Sequence, residues 1–219
     1  MSRGIAVVGI CILAGTFLMQ GCTTGVEPSP HPGILRVTLK SAETDTSLFI
    51  LSDTTHFSRY DQFFARVYGA RAIKGSNYAP VYANTSIERI ESDTVNLLAR
   101  EWLDGTPINI RDSIAITPQN SRYRKFTILE WYLPPGAYDE LEFTLMADEV
   151  ATYIPKLYVN PIQLPPGTAP QLFFPAPFSI QEDRTTEIAL EIEPFRSLSR
   201  YQDSFLFDRK IQVVAVRIL

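Results

Sequence analysis

The chain has 219 residues, with 20 basic and 24 acidic side chains and a formal charge of −4. That mild acidity, without clustered Lys and Arg, excludes the electrostatic footprint of a nucleic-acid binder. Two cysteines (Cys11, Cys22) and two histidines (His31, His56) are too few for a disulfide framework or a thiolate or histidine-paired metal site.

The amino terminus sets Arg3 before an apolar stretch, Ile5 to Met19, that ends at Gly21-Cys22. A cationic start, an apolar segment and a small residue before the cleavage point are the order of a secretory signal. The cysteine makes it a lipoprotein signal. Residues 1–21 are the expected signal peptide, and Cys22 is the expected acylated terminus of the mature chain. Cys11 then leaves with the leader. Each buried methylene contributes about 0.8 kcal/mol, so several acyl chains on Cys22 would hold the protein on a membrane. The alternative is an uncleaved anchor, because no charge occurs from Gly4 through Val26 and about 20 apolar residues span a bilayer. Gly15, Gln20 and Gly21 dilute its far end. On either account the folded part lies outside the cytoplasm. Thr23 stands where inner-membrane lipoproteins carry Asp, which points to the outer membrane. Residues 22–33, rich in Pro and Gly, form a tether that extends to roughly 30 Å.

From residue 34 the pattern has period two. Leu35, Val37 and Leu39 alternate with Arg36, Thr38 and Lys40. Leu141, Phe143 and Leu145 alternate with Glu140, Glu142 and Thr144, and Ile188, Leu190 and Ile192 alternate with Glu187, Ala189 and Glu191. Such alternation marks strands with one buried face. Phe63 to Ile73 is expected as a strand, although Ser58-Arg59-Tyr60-Asp61 resembles a helix capping box. Lys210–Ile218 is apolar on both faces and is expected as a central, doubly covered strand. Asp104-Gly105-Thr106-Pro107, Leu133-Pro134-Pro135-Gly136 and Leu164-Pro165-Pro166-Gly167 supply turns. The expected fold is all-β: one Greek-key-type β-sandwich (prealbumin- or immunoglobulin-like) over 34–219.

The order of these motifs resembles the bacterial lipoprotein family known as domain of unknown function 4382. The match runs through the Gly-led strand Gly33-Ile34-Leu35-Arg36-Val37-Thr38-Leu39 and Val95-Asn96-Leu97-Leu98. It continues through the corner Leu133-Pro134-Pro135-Gly136-Ala137-Tyr138 and the late run Leu190-Glu191-Ile192-Glu193, which leads to Ser197-Leu198. Asn96, Glu191 and Glu193 stand where the family pattern carries Asp, and Ser41-Ala42-Glu43 replaces an early Asp-Ala-Pro. The resemblance implies an extracytoplasmic β-sandwich and brings no catalytic residues with it.

Chemistry is sparse. His31 lies between Pro30 and Pro32, so a Ser–His–Asp set would rest on His56 alone, and no Gly-x-Ser-x-Gly elbow is present. Glu191 and Glu193, two apart on one strand, would stand about 7 Å apart, within the span of inverting glycosidase carboxylates. They also occupy a polar face where solvated charge belongs. Asp104, Asn109 and Asp112 offer calcium oxygens at a spacing that fits no established loop. The basic run Arg122-Tyr123-Arg124-Lys125 reads as a solvated hairpin flank.

Aromatics are the better candidates for binding. Phe173, Phe174 and Phe178 are interleaved with Pro175 and Pro177, as at an edge strand or a loop crossing a sandwich end. They either cap the core or form an exposed patch for a partner. Trp102, Trp131 and Tyr132 could stack on sugar rings, and their ordinary role is core filling. The expectation is a non-catalytic binding or structural module of the cell envelope with an envelope protein as partner. No cofactor, metal or nucleic acid is expected. A glycan-binding accessory lipoprotein is the alternative, and a carboxylate-based glycosidase is a more distant one.

Overall fold

The computed structural model describes residues 30–44, 47–50, 53–56, 62–82, 94–108, 116–152, 158–201 and 204–219. The leader, Cys22 and the Ser58–Asp61 box lie outside the described residues. His31–Leu219 forms one compact unit, and its described part is all-β.

Its first nine strands are β1 (Gly33–Ser41), β2 (Ser47–Ile50), β3 (Asp53–His56), β4 (Gln62–Lys74), β5 (Asn77–Tyr82), β6 (Thr94–Asn96), β7 (Arg100–Trp102), β8 (Ser121–Tyr123) and β9 (Phe126–Leu133). The second nine are β10 (Gly136–Tyr138), β11 (Glu140–Thr152), β12 (Tyr158–Gln163), β13 (Gln171–Phe174), β14 (Phe178–Ile180), β15 (Thr185–Ile192), β16 (Leu198–Tyr201), β17 (Ser204–Phe207) and β18 (Ile211–Ile218).

Two sheets dominate. The smaller has the order β18-β15-β1-β9, with β1 parallel to β15 and the other pairs antiparallel. The larger runs β16-β17-β12-β11-β4-β5, with β13 also on β11 and β6 also on β4. Its spine is the long antiparallel pair β4–β11. Three two-stranded ribbons, β2–β3, β7–β8 and β10–β14, complete the described part.

The alternating apolar residues meet in one core. Leu35, Val37 and Leu39 of β1 and Ile188, Leu190 and Ile192 of β15 cluster with Phe63, Ala65, Val67, Leu141, Phe143 and Leu145 of the spine. Phe63 packs edge-on against Phe207, and Phe143 stacks on Phe174. The register of β4 against β11 shifts beside Gly69, whose φ of 31° lies where side chains are disfavoured.

Several expected features are present. The strand expected over Phe63–Ile73 is β4. Gly33 heads β1, where a Cβ would lie 2.2 Å from the Gln181 carbonyl oxygen. Asn96 Oδ1 accepts the N–H groups of Phe63 and Leu98, both at 3.1 Å, so it serves the main chain. At the Leu133–Tyr138 corner, the buried Tyr138 hydroxyl donates to Pro134 O at 2.9 Å, and its ring stacks on Phe178.

One expectation is corrected. β18 is not central: it ends the smaller sheet, with Val214, Val216 and Ile218 exposed. Its two apolar faces go with a bulge opposite Ala189/Leu190 and, among the described residues, with an edge that no further strand pairs.

Candidate surface on the larger sheet

Alternation along β4 and β11 sends Ala70, Ala72, Leu141 and Phe143 into the core and Tyr68, Arg71, Glu140 and Glu142 outward. The register then builds one row across four strands: Pro80 of β5, Arg71 of β4, Glu142 of β11 and Phe173 of β13. Tyr78 lies in the adjacent row, opposite Ile73, and Tyr68 opposite Thr144.

The centre of this row is an ion pair. Arg71 Nη2 donates to Glu142 Oε1 at 2.5 Å, and the guanidinium carbon sits 5.1 Å from the centre of the Tyr78 ring. The carboxylate holds the Arg71 pKa above its ordinary value, chiefly through that hydrogen bond. Glu142 faces outward, yet its side chain is only 8% exposed. Around it stand exposed rings, Tyr78 at 61% and Phe173 at 54%. Three strand spacings separate their strands, or roughly 14 Å.

Such a surface suits recognition. Arg71 keeps further donors beyond the one used on Glu142, and its plane is fixed by carboxylate and ring. The rings supply apolar area at low entropic cost. Acid–base chemistry has less support, because the Glu142 carboxylate is already engaged by a cation.

The outward side of the smaller sheet differs. Glu187 of β15 is also covered, at 4% exposure, but by cations: Arg217 Nη2 at 2.7 Å and Lys125 Nζ at 3.5 Å. Hydrogen bonding from Arg217 lowers its pKa. Burial opposes that shift, and the charge of Lys125 adds to it. Arg36 and Glu130 pair beside it at 2.6 Å.

The residues singled out from sequence are not gathered at one place. Phe173 belongs to the row described above. Phe174 and Phe178 are buried in the core, at 7% and 4%. Trp131 and Tyr132 are exposed on β9 of the smaller sheet, where neighbours in sequence point to opposite faces. Trp102 is half-buried in the β7–β8 ribbon, opposite Ser121.

The polar candidates are equally dispersed. Glu191 Oε1 accepts from Gln212 at 3.5 Å, and Glu193, beyond the end of β15, pairs with Arg196 at 2.9 Å. Asp104 accepts the Thr106 N–H at 2.8 Å, and Thr106 lowers its pKa. Asn109 and Asp112 lie outside the described residues. No metal-competent acidic or His/Cys cluster occurs among the described residues. His31 lies 3.5 Å from Asp183, both exposed. In the basic run, Arg122 pairs with Glu101, Arg124 lies over Phe126 and Lys125 reaches Glu187.

Nothing in the sequence marks Arg71, Glu142 and Tyr78 as a site. Their local signal is ordinary strand alternation. No family model, curated protein or solved structure matches the chain.

Proposed function

We propose that this protein is a non-catalytic binding module of the cell envelope, anchored to the outer membrane through lipid on Cys22. On this proposal it presents the outward face of its larger sheet to an envelope protein. One observation carries the reading: the covered Glu142 carboxylate paired with a half-exposed Arg71, bordered by the exposed rings of Tyr78 and Phe173. Arginine and tyrosine held by neighbouring groups are the residues that dominate protein interfaces. Within this proposal the fold is a Greek-key-type β-sandwich of the kind the lipoprotein resemblance implies. The bond from the Tyr138 hydroxyl back to Pro134 O supports that class, since such sandwiches carry tyrosine corners.

The test is photo-cross-linking in intact cells from a reactive residue at Tyr78, followed by mass spectrometry. A discrete adduct with one envelope protein, lost on Arg71→Ala or Phe173→Ala, is the expected result. Adducts with polysaccharide, together with saturable sugar binding that needs Tyr78, would replace the protein partner by a glycan. Absence of any adduct under all growth conditions would refute the reading. The anchor is tested separately: Cys22→Ser should abolish incorporation of labelled palmitate.

A further inference from the structure

β18 pairs with β15 on one side and with no described strand on the other. The other sheet ends are protected. β9 lies against β5, β5 itself carries Pro80, and β16 is four residues long beside β2. These are ordinary devices against edge pairing. β18 has no such cover or proline among the described residues. It is eight residues long, its one charge, Arg217, is spent on Glu187 within its own sheet, and its one irregularity is the register shift at Val214.

Two hydrogen bonds show which backbone groups of β18 point away from β15. The Leu219 N–H donates to Thr185 O at 2.8 Å, and the Glu193 N–H donates to Lys210 O at 3.0 Å. Residues of an antiparallel ladder alternate between turning both backbone groups toward the neighbour and turning both away. Stepping back from Leu219, Arg217 faces β15 while Ile218 and Val216 face away. Stepping forward from Lys210, Gln212 faces β15 while Ile211 and Val213 face away. The register shift between Ala189 and Leu190 joins the two counts, with Val214 as the extra residue.

The outward set is therefore Ile211, Val213, Val216 and Ile218. Identity and spacing read the same in both directions about the Val214–Ala215 peptide. All four lie opposite core-facing partners, namely Ile192, Leu190, Ile188 and Thr186. Yet Val216 and Ile218 remain 40% and 43% exposed.

We propose that β18 pairs antiparallel with β18 of a second copy across a two-fold axis at Val214–Ala215. The two smaller sheets then join into one. Ile211 falls opposite Ile218 of the second copy, and Val213 opposite Val216, so every outward backbone group meets a matching one. Arg217 falls opposite Gln212 of the second copy, which already contacts Glu191. Cation thus approaches carboxylate, and no like charges meet. Pairing along one strand buries less than the roughly 1,200 Å² of a stable complex, so the dimer is reversible. This inference does not depend on the recognition face of the larger sheet.

The experiment is cysteine cross-linking of the full chain in intact cells, using copper phenanthroline as oxidant and non-reducing gels. Val214→Cys should give a band at twice the monomer mass. The unsubstituted chain and Thr127→Cys on β9 should not. Adding Val216→Lys to Val214→Cys should lower that band at least fivefold while the chain stays protease-resistant. The proposal is overturned by three results: no doubled band from protease-resistant Val214→Cys, a band whose mass shows a different protein, or cross-linking indifferent to Val216→Lys.

Discussion

Glu187 and Glu142 occupy equivalent positions on the two sheets. Each sits on an inner strand, faces away from the core and is almost completely covered. Their surroundings differ. Glu187 is held by two cations, Arg217 and Lys125, within a layer that also contains Arg36–Glu130. Glu142 has one arginine, which is itself held by a ring, with a second exposed ring on the far side. A carboxylate wrapped by several cations is satisfied internally and ties strands together. One that shares a single cation with exposed rings leaves donors and apolar area for something else. Damage to the smaller sheet should therefore be read in stability, and damage to the row on the larger sheet in binding.

The strongest way to break this contrast lies at the head of β1. Gly33→Ala drives a Cβ against the Gln181 and Arg184 carbonyls. It should destabilise the fold by about 2–3 kcal/mol in urea unfolding, as overpacking of a tight site does. Gly75→Ala, at a solvent-open position with φ of 57°, should cost about 1 kcal/mol. Equal costs at the two sites would show that close approach at Gly33 is not what matters.

Next comes the cation pair around Glu187. The double change Lys125→Met, Arg217→Met leaves a covered carboxylate without a partner and should lower stability by about 2 kcal/mol. Both cations are about half exposed, and solvent screening holds the figure there. Glu187→Gln added to that double change should recover part of the loss. If it deepens the loss, unpaired charge is not the cause.

Acid sharpens the same point. The pKa of Glu187 is lower in the fold than in the unfolded chain, so its contribution is complete above the ordinary glutamate value of about 4.3. As pH falls through the depressed folded value, that contribution disappears. Unfolding measured from pH 6 to pH 3 should show the wild type losing on the order of 1 kcal/mol more than Glu187→Gln. Parallel curves would remove Glu187 from the acid response.

The smallest effect on stability is expected on the larger sheet. Tyr78→Ala with Phe173→Ala should change unfolding by no more than about 0.5 kcal/mol, as exposed positions do. Partner capture should nevertheless fall at least tenfold. A loss of stability comparable to that at Gly33 would erase the distinction between the two faces.

Much of the fold was legible because alternation is a local property. Leu35, Val37 and Leu39 announce a half-buried strand without reference to any other residue, and the corner ending in Tyr138 carries its own turn residues. Neighbours in a sheet are not local. Lys210–Ile218 has apolar residues on both faces, and nothing within it says whether a further strand lies beside it. Phe173 and Phe174 illustrate the same limit: adjacent in sequence, one is exposed and the other stacks on Phe143.

By itself, then, the sequence determined the all-β character of the described part, the faces of its main strands and the scarcity of catalytic side chains. Each follows from residue type and a period of two. The tertiary structure decided that Arg71 meets Glu142, that Phe173 flanks them and that β18 ends its sheet. Those facts depend on which distant strands hydrogen-bond and in what register. A one-residue slip there would turn every side chain to the other face.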